Sequence, residues 1–99
     1  MQSSVTGPIV CKFGATWCGP CRDLEPKFEE LEREFGHVCT FVTVDVDQAE
    51  ALCAQHQVKQ IPYVKIMQAN AEHMSRVNPP LDDVRHVLCS LQDSTAISA

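Results

Sequence analysis

Two cysteines stand two residues apart in the stretch "GATWCGPCRD". Cys18 and Cys21 are separated by Gly19 and Pro20, and Trp17 comes directly before the first thiol. Thiols at this spacing can form a redox-active disulfide, bind a metal ion, or be ordinary buried side chains. The residues around the two cysteines indicate which of these three uses applies.

The thiols lie where a predicted strand meets a predicted helix. The apolar run "PIVCKFG" is typical of a strand that is buried on both faces. After the thiols, an amphipathic helix that ends at Gly36 is indicated by Leu24, Phe28, Leu31 and Phe35. We therefore expect Cys18 and Cys21 in the first helical turn, where unpaired amides and the helix dipole favour a thiolate at Cys18.

This position favours thiol-disulfide exchange. Cysteines at helix N-termini and in such pairs have a pKa of about 3.5–7.5 instead of about 8.5, so the thiolate is available at neutral pH. We expect Cys18 to attack a target disulfide and Cys21 to resolve the mixed disulfide. Gly19 would let the partner backbone approach, and Pro20 fixes the local φ angle.

A zinc site is disfavoured because it needs about four ligands, usually a second cysteine pair or two closely spaced histidines. The histidines are scattered, at His37, His56, His73 and His86. Asp45 and Asp47 lack further carboxylates at the spacing of an oxygen cage. The sequence therefore predicts no metal, and it assigns these two aspartates to strand-end solvation and helix capping.

Three more strands and two more helices are predicted along the chain. "VCTFVTVDVD" indicates a strand over 38–46, and Asp47 is positioned to cap a helix with Ala49, Leu52, Cys53 and His56 on one face. "IPYVKIM" indicates a third strand from Pro62, joined by a tight turn at Asn70 to a fourth, "HMSRV".

The last helix begins after Pro79 and Pro80, and residues 92–99 are expected to be a frayed tail. Its apolar face is predicted to carry Leu81, Val84, Val87, Leu88 and Leu91. Pro26 is expected to kink the first helix. The order is β-α-β-α-β-β-α in one domain over 1–99, with a short N-terminal segment at 1–8, parallel strands joined by helical crossovers, and an antiparallel hairpin at one edge.

The composition is that of a soluble globular protein. The 99 residues are 44% hydrophobic and 21% charged, with a net charge of -5. Nucleic acid and anionic membranes are therefore unsuitable partners. The first residues have neither a basic segment nor an apolar run of signal-peptide length, so we expect a cytoplasmic protein whose cysteines outside the pair are reduced.

Three segments resemble the thioredoxin family: "FGATWCGPC", "VDVD" and "QIPYV", within a similarity that runs from Ile9 to Leu91. The resemblance implies an α/β fold, a thioredoxin-like mixed sheet of about four strands flanked by helices. It also implies a protein-disulfide reductase in which Pro62 is cis and faces the thiols. The backbone of Ile61 would pair with the substrate chain, and Trp17 would form part of the docking surface.

The resemblance further implies that no cofactor is bound. Electrons would come from NADPH through a thioredoxin reductase, and pass to disulfide-containing targets such as peroxiredoxins or ribonucleotide reductase. Two alternatives stay open. One is a redox-regulated binding module with impaired turnover, and the other is an oxidant or isomerase of the secretory route.

Lys12 departs from the family, which usually has an aspartate at this position near the resolving thiol. A charged Lys12 would favour the Cys21 thiolate and make the protein more oxidising, whereas a neutral Lys12 could accept the proton itself. Alternatively, Lys12 lays its stem along the core and carries its ammonium to water or to Glu25.

The N-terminus also departs from the family, which usually places a strand and a helix before the strand that holds Lys12. Since "MQSSVTGP" cannot hold both, we expect an open sheet edge, one thinly covered face, and a monomer or weak dimer.

Other positions carry milder expectations. Tyr63 stands where threonine is frequent, and Asn78 lies near a position that is often glycine, so both could alter partner choice or simply serve packing and a turn. The remaining cysteines are expected to be small buried hydrophobes, with oxidation of Cys53 or Cys89 as an alternative if either is exposed. These cysteines are Cys11, Cys39, Cys53 and Cys89.

Overall fold

The predicted order of elements is confirmed. A computed structural model describes residues 7–69 and 71–98, with side chains through Leu91. The strands are β1 (Ile9–Gly14), β2 (Thr40–Asp45), β3 (Tyr63–Gln68) and β4 (Ala71–Val77). The helices are α1 (Gly19–Phe35), α2 (Glu50–Gln55) and α3 (Leu81–Ser98). Within these ranges, no helix is both long and apolar enough to cross a membrane.

The four strands form one mixed sheet in the order β2-β1-β3-β4. β1 is parallel to β2 but antiparallel to β3, and β3 is antiparallel to β4. The prediction that only the terminal hairpin is antiparallel was therefore wrong. A helix of six residues, such as α2, spans about 9 Å, whereas a strand of six residues spans about 20 Å. This connection does not carry the chain back along the sheet, so β3 begins beside the end of β1, with Tyr63 opposite Phe13.

The main core lies between the sheet and the two long helices. On this side, which we call the helix face, β1 presents Val10, Lys12 and Gly14, because alternate strand residues share a face. Leu31 of α1, Ile66 of β3 and Leu88 of α3 are completely buried. The apolar stripe predicted for α1 is buried as expected, since Leu24, Phe28, Leu31 and Phe35 all belong to this core.

Among the described residues, the one helix on the opposite face is the short α2. None of the residues of α2 is buried, and Leu52 keeps 37% of its surface exposed. The edge strand β2 exposes three of its six side chains, including Val42 at 38%. Cys11 is only half-buried on this side of the sheet. On this face Phe13 and Val44 are buried, whereas the apolar surface of Val42 borders solvent.

Some local predictions were wrong or fall outside the described residues. Asp47 does not cap α2, which begins after Ala49 without a side-chain cap. α3 is helical as far as Ser98, since no glycine or proline interrupts it, and fraying of residues 92–99 stays a prediction. Asn70 lies outside the described residues, but Ala69 beside it has the positive φ of 51° that a tight turn requires.

The strand predicted over 38–46 is shorter, because residues 36–38 form a turn and pairing starts at Thr40. Pro26 lies inside α1, which continues on both sides of it. The φ of 45° at Asn78 explains why a residue tolerant of the left-handed region stands there. Its amide donates a 2.7 Å hydrogen bond to the carbonyl oxygen of Pro62.

Candidate active site

Cys18 occupies the N-cap of α1, one position before the first turn where the sequence placed it. Its backbone is extended, with φ of -90° and ψ of 115°, and Gly19 and Pro20 open the helix. The amide of Cys21 donates a 3.2 Å hydrogen bond to the Cys18 sulfur. The sulfur thus replaces the oxygen that usually caps a helix. The first turn holds no acidic residue, so no carboxylate there opposes a thiolate at this position.

Cys18 and Cys21 are joined as a disulfide, with their Cα atoms 5.2 Å apart, inside the usual range for such a bond. Only 6% and 5% of their surfaces are exposed. The start of α1 lies close against β1, because a Cβ atom added to Gly14 would meet the Cys21 sulfur at 3.2 Å. Gly14 therefore gives Cys21 the room to sit beside the strand.

The Ile61-Pro62 peptide bond is cis, as the family resemblance implied. Pro62 is fully buried, and Ile61 is half-buried. Ile61 and Val46 pack against a small cluster made by Ala15, Cys18 and Cys21. The structure thus brings the loop before β3 directly beside the thiols. The sequence did not single out Ala15 or Val46, although both lie within segments that carry the family resemblance.

Trp17 is the most exposed large apolar side chain described, at 66%, yet it is held in place. Its indole N–H donates a 2.7 Å hydrogen bond to a carboxylate oxygen of Asp47. Together with Val46, Val58 and Ile61, it lines a groove of about 430 Å³ beside the thiols. An exposed aromatic ring at the rim of an apolar groove is typical of a protein-docking surface.

Lys12 lies beneath the thiols and is 5% exposed. Its ammonium nitrogen is 5.5 Å from the centre of the Phe28 ring. Glu25, the expected carboxylate partner, lines the same cavities but forms no ion pair with Lys12. The expectation that the lysine packs its stem in the core is thus confirmed, whereas its ammonium faces an aromatic ring.

The match to a known family decides what this arrangement is: the profile described as Thioredoxin matches residues 2–85. This chain belongs to the thioredoxin family. It is 31% identical over 91 residues to a "Thioredoxin H-type" of Oryza sativa subsp. indica, a match that covers 92% of this chain and 74% of that protein. It is also 42% identical over 65 residues to a "Thioredoxin" of Mycoplasmoides gallisepticum, covering 66% of this chain and 64% of the relative.

The X-ray structure of Fasciola hepatica thioredoxin is similar, with a TM-score of 0.79 and 32% identity. The match covers 87% of this chain and 82% of that one. The chain spans about half the length of several other curated thioredoxins that it matches. Its α/β fold is therefore that of a thioredoxin, with four described strands and three described helices.

The four cysteines outside the thioredoxin disulfide differ in their surroundings. Cys39 is buried and Cys11 half-buried, and burial raises the pKa of both thiols, while the charge of Lys65 partly offsets this at Cys11. Cys53 is half-buried, at the docking groove. The expectation of burial was wrong for Cys89, which is exposed on α3.

Tyr63 and the acidic residues near the thiols have structural roles. Tyr63 serves packing, because its hydroxyl pairs with that of Ser75 and its ring lies 6.0 Å from that of Phe13. Within residues 7–69 and 71–91, no three His, Cys, Asp or Glu side chains are grouped so that they could hold a metal ion. Asp45 instead accepts a 2.9 Å hydrogen bond from the amide of Asp47, as suits a strand end.

Proposed function

We propose that this thioredoxin-family chain is a protein-disulfide reductase that works through Cys18 and Cys21. The observation that carries the proposal is the Cys18 sulfur at the N-cap of α1, where it accepts the Cys21 amide at 3.2 Å. A hydrogen bond to the charged form favours that form, and the helix dipole has the same effect. Both support a Cys18 thiolate once the disulfide is reduced.

The proposed cycle transfers two electrons. The Cys18 thiolate attacks one sulfur of a target disulfide, so that a mixed disulfide forms and one target thiolate leaves. Cys21 then loses its proton and attacks the Cys18 sulfur. The Cys18–Cys21 bond forms, the bond from Cys18 to the target breaks, and the second target thiolate leaves. The target is reduced to two thiols, and this chain is oxidised to the disulfide described above.

The groove beside Trp17 supports a protein substrate. Ile61 packs against the thiol cluster and also lines this groove, so a peptide lying there passes close to Cys18. We propose that the substrate backbone pairs with the backbone of Ile61, next to the cis peptide bond at Pro62. The space beside Gly19 is open to the substrate backbone, because a Cβ atom built on this residue would meet nothing within 4 Å.

The electron source and the compartment are part of the same proposal. The disulfide is returned to the dithiol by electrons from NADPH through a thioredoxin reductase, and the targets are disulfide-containing proteins. The proposed compartment is the cytosol. The four unpaired cysteines support it, because thiols outside a catalytic pair are kept reduced there.

NADPH oxidation coupled through a thioredoxin reductase, with insulin as the substrate, tests this function. Cys18→Ser should abolish the rate, and Cys21→Ser should accumulate a mixed disulfide with the target. Cys89→Ser, which removes an exposed thiol far along the chain, should leave the rate unchanged. If dithiothreitol supports insulin reduction but NADPH does not, the reductase assignment fails alone. Absence of turnover with both reductants, with target binding retained, would favour a binding module instead.

A further inference from the structure

Lys12 is a buried cation with no ion pair among the described residues. It keeps only 5% of its surface exposed, and its one described polar interaction is with the face of Phe28. The other buried lysine, Lys65, has its ammonium 3.3 Å from a carboxylate oxygen of Glu72. Burial of an unpaired charge is costly, and a ring face compensates only part of this cost. A negative charge near Lys12 would therefore be stabilised.

The resolving thiol is one of the groups that could supply this negative charge, beside the carboxylates of Glu25, Glu29 and Glu32, which line a second cavity with Lys12. A cavity of about 150 Å³ between β1 and the start of α1 is lined by Lys12, Gly14, Cys21, Glu25 and others. Lys12 and Gly14 lie on the same face of β1, about 7 Å apart along the strand. A Cβ atom added to Gly14 would lie 3.2 Å from the Cys21 sulfur. The missing side chain at Gly14 thus leaves open part of the cavity that Lys12 and Cys21 both line.

Four titratable groups face this cavity: Lys12 from β1, Cys21 and Glu25 from α1, and Asp45 from β2. A thiolate at Cys21 would be opposed by the carboxylate charges of Glu25 and Asp45. Lys12 supplies the one positive charge among these four groups. A cavity of this size has room for water, and Glu25 is exposed at its outer side.

We propose that the Lys12 ammonium stabilises the Cys21 thiolate during resolution of the mixed disulfide, while the Cys21 proton leaves through the cavity toward the Glu25 carboxylate. The step balances. The Cys21 S–H bond breaks, its proton passes through water to Glu25, and the thiolate forms the bond to the Cys18 sulfur. The target sulfur leaves as a thiolate and takes a proton from solvent, while Glu25 returns its proton to solvent. This inference rests on the proposed reductase cycle.

Lys12 acts in this account as a positioning residue through its charge, not as a base. Arginine separates the two roles because its guanidinium stays protonated and cannot accept a proton. Lys12→Arg should therefore retain the effect on Cys21, and Lys12→Met, which keeps the length and removes the charge, should lose it. Lys65→Met is the matched control, since it removes a buried lysine from the other face of the sheet.

The test measures how fast Cys21 is alkylated by iodoacetamide as a function of pH, in a Cys18→Ser background where Cys21 is the sole thiol of the motif. Tandem mass spectrometry separates Cys21 from the other cysteines. The pH of half-maximal rate should rise by about one unit in Lys12→Met, because the loss of an opposite charge from the cavity shared with the thiol shifts its titration by this order. The pH of half-maximal alkylation should be unchanged in Lys65→Met, and in Lys12→Arg it should match that of the protein with Lys12.

A purely structural role for Lys12 predicts a different result. Lys12→Met would then lower the melting temperature without moving the pH of half-maximal alkylation of Cys21. That outcome, in a variant with native near-UV circular dichroism, overturns the proposal. If Lys12→Arg folds but behaves like Lys12→Met, proton acceptance by a neutral lysine replaces the electrostatic role.

A second readout uses the intact pair. Release of a fluorescent peptide thiol from its mixed disulfide with Cys18, below pH 7, should be about tenfold slower in Lys12→Met, because a one-unit shift changes the thiolate fraction tenfold. Formation of the mixed disulfide should be unaffected. If the wild type fails to reduce insulin but the alkylation shift is found, the reductase function fails and the role of Lys12 stands. If insulin is reduced without any shift, only the role of Lys12 fails.

Discussion

The indole N–H of Trp17 donates a 2.7 Å hydrogen bond to the carboxylate of Asp47, thirty residues away along the chain. Trp17 would otherwise be free to rotate, since two thirds of its surface is exposed. The bond joins the loop before α1 to the turn after β2, and the two segments border the docking groove. Asp47 therefore holds the aromatic side chain in one orientation beside the thiols.

Asp47→Ala should weaken protein docking more than chemistry. Loss of an exposed hydrogen bond of about 0.5–1 kcal/mol corresponds to a two- to fivefold rise in KM for insulin. The kcat should change much less, because Asp47 does not contact the sulfurs. The coupled reductase assay gives both constants. Trp17 is the only tryptophan, so its fluorescence reports directly on the released ring.

Asp83→Ala is the matched control for this change. Asp83 also accepts a hydrogen bond from an exposed side chain, that of Arg76, but it lies on α3 and does not line the docking groove. Asp83→Ala should leave the Trp17 fluorescence and the KM for insulin unchanged. A fall in kcat with an unchanged KM for Asp47→Ala would contradict the docking role.

Gly14→Ala should disturb the disulfide itself. The new methyl group would lie 3.2 Å from the Cys21 sulfur and 3.4 Å from its Cβ atom, so that the Cys21 side chain has to move by a few tenths of an ångström. We expect slower closure of the Cys18–Cys21 bond and a changed equilibrium with glutathione. The measurement is the fraction of oxidised protein in glutathione buffers, together with the rate of oxidation by a small disulfide.

Gly19→Ala separates this effect from docking. A methyl group at Gly19 meets nothing within 4 Å, so the glutathione equilibrium should stay as in the wild type. Reduction of insulin should nevertheless slow, because the methyl projects where the substrate backbone approaches. If Gly14→Ala matched the wild type in the glutathione titration, the close approach of β1 to Cys21 would have no effect on the redox pair.

The sequence predicted those features that depend on local pattern. The spacing of apolar residues in α1 and the β-branched run of β2 indicated these elements correctly, and the thiol spacing indicated a redox pair. The direction of β3 was missed because it depends on how far α2 carries the chain, and the six-residue length of α2 is not marked by a clear stop signal.

Long-range partners were missed for a similar reason. Asp47 looked like a helix cap because it precedes an apolar helical pattern, but it is engaged by Trp17 from another loop. The exposure of Cys89 depends on how α3 rotates against the sheet, and the sequence pattern left this unresolved. The Phe28 ring that faces the Lys12 ammonium belongs to α1, so the sequence of β1 could not predict this contact.

Leu88→Ala should destabilise the fold by about 2–5 kcal/mol, the usual cost of removing a fully buried leucine side chain. Leu88 lies in the core between α3 and the sheet, with no exposed surface. Urea unfolding, followed by far-UV circular dichroism, gives the free energy of unfolding. Leu52→Ala on the exposed α2 is the control and should change it by about 0.5 kcal/mol or less. Equal losses would mean that α2 is packed as tightly as α3.

Stability should fall above about pH 9, and Cys39 should account for part of the fall. Burial in the apolar core raises the pKa of this thiol above its ordinary value of 9.0. Above pH 9 the unfolded chain releases this proton while the folded protein retains it, so deprotonation stabilises the unfolded state relative to the folded state. Stability from this group is therefore complete below pH 9 and is lost as the pH rises toward the folded pKa.

Cys39→Val removes the thiol while keeping an apolar side chain in the core. Urea unfolding at several pH values from 7 to 10.5, with the Cys18–Cys21 disulfide kept oxidised, should give a shallower alkaline loss of stability for this variant than for the wild type. The half-buried Cys11 contributes in the same direction, since burial raises its pKa too. Cys11→Val combined with Cys39→Val should flatten the dependence further. Parallel curves for the wild type and the double variant would show that these thiols titrate alike in the folded and unfolded chain.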